Sequence, residues 1–203
     1  MLKTLSPEEH VAVGVYDRYV RDGDIDHTPL WADHFTNTVY ASLTPNAPLI
    51  DIGCGTGRFI NLLPSFRITN YIGVDPSEES ITYCNRTFPN HSFAVGEIRT
   101  VGEEYPDQFL GFALITVLMH IPRRALTTAV SSLRGCLQVG ATGFISTPLP
   151  RHKGEKTWKN LQGMKLTLHT SEEIRKAFSD NGFIVQEMFT PDGNMLLAHM
   201  IAI

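Results

Sequence analysis

Three acidic residues stand in the first half of this 203-residue chain where their types and spacing could do chemistry: Asp51, Asp75 and Glu97. Asp51 opens Asp-Ile-Gly-Cys-Gly-Thr-Gly-Arg, so Gly53, Gly55 and Gly57 follow at two-residue intervals. Glycines in such a run let the backbone turn sharply and approach a ligand closely. A helix starting beyond them would offer free N–H groups and a partial positive charge. The dinucleotide fingerprint Gly-x-Gly-x-x-Gly/Ala demands a small residue where Arg58 stands. Asp51 would repel a pyrophosphate, yet it can receive an ammonium group. Asp75 closes Ile-Gly-Val-Asp, 22 residues after Gly53, where a carboxylate takes the two hydroxyls of a ribose. In Val-Gly-Glu-Ile, Glu97 can take the amino group of an adenine, and Ile98 offers a backbone N–H and an apolar face. A ligand with a nucleoside at one end and an amino acid at the other fits better than a dinucleotide.

These residues need a scaffold that delivers three loops to one place, and the apolar pattern predicts one. From Pro48 onward, short apolar runs alternate with helical periodicity. Strands are predicted over 49–52, 71–74, 92–95, 112–117 and 143–146, and helices over 59–63, 78–88 and 122–137. Ser77 should cap the second of these helices. Thr170-Ser-Glu-Glu is a capping box that opens a further helix, closed by Asn181-Gly182. Strands over 183–189 and 195–203 then flank a five-residue link, too short for a parallel crossover, so they must pair antiparallel. Before this core, Ser6-Pro-Glu-Glu marks the start of one helix, and Trp31, Phe35 and Val39 mark the apolar face of a second.

On these motifs the chain resembles the class I, Rossmann-like S-adenosylmethionine-dependent methyltransferases of the small-molecule type, from about Leu49 to the final hairpin. The resemblance implies an α/β fold in three layers: a seven-stranded, mostly parallel sheet with one antiparallel strand, plus an N-terminal helical lid. It implies one domain over 1–203, with the lid at 1–45 and the core at 46–203. It also assigns S-adenosyl-L-methionine to Asp51, Gly53, Cys54, Gly55, Asp75, Glu97, Ile98 and Val117. Thr116-Val-Leu-Met-His-Ile-Pro122 resembles the family's segment after strand four, which faces the transferred methyl group. His120 is therefore the candidate base, with Tyr16 of the first helix as a second candidate; a backbone-bonding histidine and a core tyrosine are the plain alternatives.

Absences narrow the chemistry. No Asp/Asn-Pro-Pro-aromatic motif stands at the end of strand four, and Thr116 replaces the acid of the magnesium-dependent relatives, so no metal is expected. A net charge of −4 and 19% charged residues argue against a surface devoted to nucleic acid. Three scattered cysteines suggest no disulfide framework, and no apolar run suggests a membrane span, so a cytoplasmic location follows. The segment holding Arg151, Lys153, Lys156, Lys159 and Lys165 reads as a loop that could steer an anionic acceptor. It could equally be a solvated loop, or the RNA-binding face of an RNA methyltransferase. A cofactor-binding protein without catalysis is the remaining alternative, and the oligomeric state is left open.

Overall fold

The structure is a computed structural model that describes residues 5–23, 39–40, 43–44, 46–60, 69–159, 164–190 and 193–203. Trp31 and Phe35 lie outside the described residues, as do positions 61–63; of the second N-terminal helix, Val39 and Tyr40 are described, helical and buried.

The first helix, α1 (Pro7–Asp22), starts on the capping box that Ser6 and Glu9 complete and ends at Gly23 in the left-handed conformation. A seven-stranded sheet follows, built from β1 (Leu49–Ile52), β2 (Tyr71–Asp75), β3 (Ser92–Val95), β4 (Phe109–Ile115), β5 (Leu137–Pro148), β8 (Phe183–Phe189) and β9 (Met195–Ala202). The spatial order is β3-β2-β1-β4-β5-β9-β8. β1 to β5 pair parallel, and β9 runs antiparallel to both β5 and β8. Helices α2 (Glu78–Thr87), α3 (Val101–Glu104), α4 (Leu126–Gly135) and α5 (Ser171–Asp180) connect the strands. The three-layer architecture with one antiparallel strand is the one expected.

Strand side chains alternate between faces, and both faces are buried. Ile50, Phe112 and Leu114 join α4 and α5 in one core through Val130, Leu133 and Phe178. Leu49, Ala113, Ile115 and Phe144 point the other way, onto Tyr40, Phe59 and Ile60. A third, smaller cluster sits beyond the strand ends: Ala12 and Val15 of α1 pack with Met164 and Leu166, beside Tyr16, Tyr19 and Met119.

Several expected boundaries are corrected. β4 ends at Ile115 rather than Val117 because Thr116 takes a left-handed φ of 58°, which breaks the extended ladder. The stretch 122–137 is not one helix: a 3-10 turn at Arg123–Ala125 precedes α4, and Leu137 already pairs with Phe109 as the first residue of β5. Residues 58–60 form a 3-10 turn at the start of the predicted 59–63 helix, the rest of which lies outside the described residues. The basic segment is not wholly loop, for β6 (Thr157–Lys159) and β7 (Lys165–Thr167) form an antiparallel ribbon. Buried Leu166 anchors that ribbon against α1. No helix among the described residues is long and apolar enough to cross a membrane.

Candidate active site

The carboxyl ends of β1 to β4 open into one cavity of about 500 Å³, roofed by α1. Open α/β sheets bind ligands at this edge, where strand order reverses, and here the reversal lies between β1 and β4. The cavity gathers Tyr16, Gly53, Cys54, Gly55, Asp75, Glu97, Ile98, Val117 and His120 on its walls. Nine of the ten residues singled out from the sequence therefore converge.

The glycine loop is folded back on β2. Gly53 N and Cys54 N both donate to the carbonyl of Val74, at 2.7 and 3.2 Å. Gly53 has φ +72°, and a Cβ there would lie 2.5 Å from Val117 Cγ2. Glycine is thus required twice over, by backbone conformation and by the approach of Val117. Gly55 N donates to Asp75 Oδ2 at 2.9 Å, and Ser77 N donates to Asp75 Oδ1 at 2.8 Å. Burial pushes the Asp75 carboxyl up to about 6, against the pull of those two backbone bonds.

Asp51 is the residue that does not reach the wall. It is 1% exposed, and Tyr71 Oη donates to its Oδ2 at 2.8 Å. Burial pushes it up to about 7, opposed by the Tyr71 bond and by the Arg58 guanidinium. It stands behind the glycine loop as a latent negative charge.

Glu97 is buried, and Arg99 donates to its Oε2 from Nη2 at 2.6 Å and from Nε at 3.1 Å. Its other oxygen, Oε1, is buried with no partner. An acceptor left so typically costs about 1–3 kcal/mol; Glu97 lines the cavity, and a ligand donor that reached Oε1 would relieve that cost. The adenine amino group is such a donor. With Asp75 placed for a ribose, the residues present fit S-adenosylmethionine.

At the other end, Tyr16 Oη lies 3.1 Å from His120 Nε2, with the rings edge to face. His120 rides on a 3-10 turn (Leu118–His120) directly after β4. Burial lowers its imidazole to about 4, so it is neutral at physiological pH. Sequence reasoning missed what holds this turn. His169, fully buried, places Nε2 3.1 Å from Leu118 O and 3.0 Å from Ile121 O, bracketing His120. Arg58, also unassigned from sequence, reaches the cavity and donates to Thr116 Oγ1 at 3.1 Å. The cations Arg151, Lys153, Lys156 and Lys165 are exposed and do not line the cavity.

Fold and site together define the class: the chain has the fold of the class I S-adenosylmethionine-dependent methyltransferases. Residues 49–140 match the family model described as "Methyltransferase domain". A 58-residue stretch is 36% identical to the protein 235L of Invertebrate iridescent virus 6, whose name marks it as a candidate methyltransferase. That match covers 28% of this chain and 22% of the viral one, so it spans about a fifth of the curated relative. Among solved structures, geranyl diphosphate C-methyltransferase from Streptomyces coelicolor A3(2) superposes with a TM-score of 0.77 at 14% identity, covering 98% of this chain and 99% of that one. That crystal holds Mg2+, geranyl diphosphate and S-adenosyl-L-homocysteine. The [4+2]-cyclase SpnF superposes with a TM-score of 0.75 at 15% identity, covering 98% and 97%. One fold thus carries more than one chemistry, and the site must decide between them.

Proposed function

We propose that this chain transfers the methyl group of S-adenosyl-L-methionine to a small-molecule acceptor. The observation that carries the reading is the convergence of Asp75, the unpartnered Glu97 Oε1 and the Gly53–Gly55 turn on one cavity whose far end holds the Tyr16–His120 pair. When bound, the cofactor supplies an electrophilic methyl on a sulfonium, open to in-line attack. Asp75 holds the ribose hydroxyls and Glu97 the adenine amino group, while Ile98 and Val117 flank the ring. The glycine loop, with Cys54, cradles the amino-acid end, and Asp51 behind it favours the ammonium group electrostatically. Much of the rate then comes from holding the acceptor in line.

Tyr16 and His120 orient the acceptor. With Nε2 unprotonated, His120 accepts the Tyr16 hydroxyl hydrogen, which orients the Tyr16 oxygen to accept a hydrogen bond from the acceptor. General bases work best near the operating pH, and an imidazole lowered to about 4 is a poor base for an alkyl alcohol. The acceptor's nucleophile is therefore one needing little help, such as an amine, a thiol, an acidic phenol or an enol. The acceptor-end walls Tyr19, Met119 and Ile121 are uncharged, so a neutral acceptor fits better than the anionic one suggested by the basic segment.

The test is incubation with methyl-labelled S-adenosylmethionine and a metabolite extract, followed by identification of the labelled product. A labelled small molecule whose yield falls in Tyr16→Phe and His120→Ala supports the reading. Cofactor binding with no labelled product from any extract would mean that the fold serves a non-transferring role.

A further inference from the structure

Both acids assigned to the nucleoside are wired to the same helix, α1. Arg99 Nη2 lies 2.6 Å from Glu97 Oε2 and 3.0 Å from Glu9 Oε1, and the three side chains are only 4–11% exposed. Glu9 carries this contact on one oxygen and accepts from Ser6 N at 2.7 Å on the other, completing the helix cap. A second wire starts at Asp75: its Oδ1 accepts from Ser77 N, and Ser77 Oγ donates to Asp17 Oδ1 of α1 at 2.6 Å. Tyr16 lies seven residues after Glu9, two turns along and on the same face, about 10 Å up the axis.

We infer that Arg99 is a positioning residue that couples occupation of the adenine site to docking of α1, and through α1 to assembly of the Tyr16–His120 pair. The inference rests on the proposed cofactor reading. Without a donor on Glu97 Oε1, the Glu9–Arg99–Glu97 triad buries two carboxylates against one guanidinium with one acceptor oxygen orphaned. Such half-satisfied networks are costly. The adenine amino group completes the network, so the docked helix is favoured once the nucleoside is in place. The cofactor then enters first, and the acceptor end is built around it. Coupling is reciprocal: what cofactor does for docking, docking does for cofactor affinity.

The decisive variant is Glu9→Gln. Glutamine at the third helical position still closes a capping box, and the Arg99–Glu97 pair and the cavity floor are untouched. If Glu97 and Asp75 acted only locally, affinity for S-adenosylhomocysteine would not change. Coupling instead predicts a loss of about fivefold or more in calorimetry. Trypsin reports the helix directly, since Arg18 and Arg21 are exposed on α1. In wild type, S-adenosylhomocysteine should slow cleavage there several-fold. S-inosylhomocysteine, with a carbonyl in place of the amino group, should not, and Glu9→Gln should abolish the protection. Wild-type affinity and protection in Glu9→Gln, or equal protection by both nucleosides, overturns the coupling alone. A wild-type protein that binds neither nucleoside overturns the cofactor reading itself, and the coupling with it.

Discussion

Cofactor affinity should fall on acidification, and by an amount that counts the carboxylates involved. Asp75 is pushed up to about 6 and Asp51 to about 7, both by burial. Under the proposed function, the ribose hydroxyls would donate to ionised Asp75, and an ammonium group would favour ionised Asp51. Each carboxyl must therefore lose its proton for tight binding, and the folded, ligand-free protein holds those protons below the stated values. Asp75 faces the Gly55 and Ser77 N–H groups with Asp17 nearby; Asp51 faces Tyr71, Arg58 and Asp75. His120, lowered to about 4, does not titrate in this window. If Asp75 alone must ionise, affinity falls about tenfold from pH 8 to pH 5, one unit below its value. If Asp51 must ionise as well, its two-unit gap adds about a hundredfold, giving roughly a thousandfold in all. Calorimetric titration with S-adenosylhomocysteine from pH 5 to 8 distinguishes the two cases. Asp75→Ala should lose about 1–3 kcal/mol at pH 8 and remove the tenfold component of the slope. An affinity that is flat across the range would refute the placement of buried carboxyls against the ligand.

Further expectations follow from the same geometry. Asp51→Asn should stabilise the free protein at pH 8 while weakening S-adenosylhomocysteine. The folded pKa of Asp51, about 7, exceeds its ordinary 3.8, so its contribution to stability is complete below pH 4 and lost as pH rises through 7. At about 1.4 kcal/mol per unit the gain reaches at most about 4 kcal/mol, and thermal denaturation at pH 8 and pH 4 should show it appear and vanish. Gly53→Ala places a Cβ 2.5 Å from Val117 Cγ2 at φ +72°. A left-handed side chain costs roughly 1–2 kcal/mol before the clash, so both melting temperature and cofactor affinity should drop, whereas Gly55→Ala, with no protein atom near its Cβ position, should lose only the backbone share of stability in the free protein. With an acceptor in hand, Tyr16→Phe and His120→Ala should each lower kcat at least about tenfold. A wild-type kcat in both would leave the pair as scaffold.

The convergence of the glycine turn, Asp75 and Glu97 on one cavity was legible because glycine spacing and strand-end acids are local signals, each fixed by a few neighbouring residues. The Asp51–Gly57 run, Asp75 and Glu97 needed only a strand-turn-helix rhythm to be placed. The couplings across the cavity were not legible, because they join residues far apart in the chain. Glu9 already had a local explanation as the partner of Ser6, and nothing nearby pointed to Arg99, ninety residues on. His120 was singled out from its place after β4, yet the His169 that brackets its turn had no motif of its own. Thr116 looked like ordinary strand. Its φ of 58° is a conformation that β-branched residues rarely adopt and that no local motif announced. The role of the basic ribbon was not legible, since charge count says nothing of direction, and in the structure Leu166 is buried while Lys165 is exposed.

That contrast bears on the acceptor. A site built to recognise an anion would bring fixed cations to its walls, as bidentate arginine does for carboxylates and phosphates. Here the one cation on the cavity wall among the described residues is Arg58, and it sits in the glycine loop, bonded to Thr116. The acceptor end is instead closed by a tyrosine pair, a methionine and a neutral imidazole. Aromatic and thioether walls favour a flat or apolar molecule, and a cationic sulfonium nearby would further discourage protonation of His120. Under the proposed function, the chemistry left to such an end is alignment: it would hold a ready nucleophile against the methyl group and exclude water when α1 is docked.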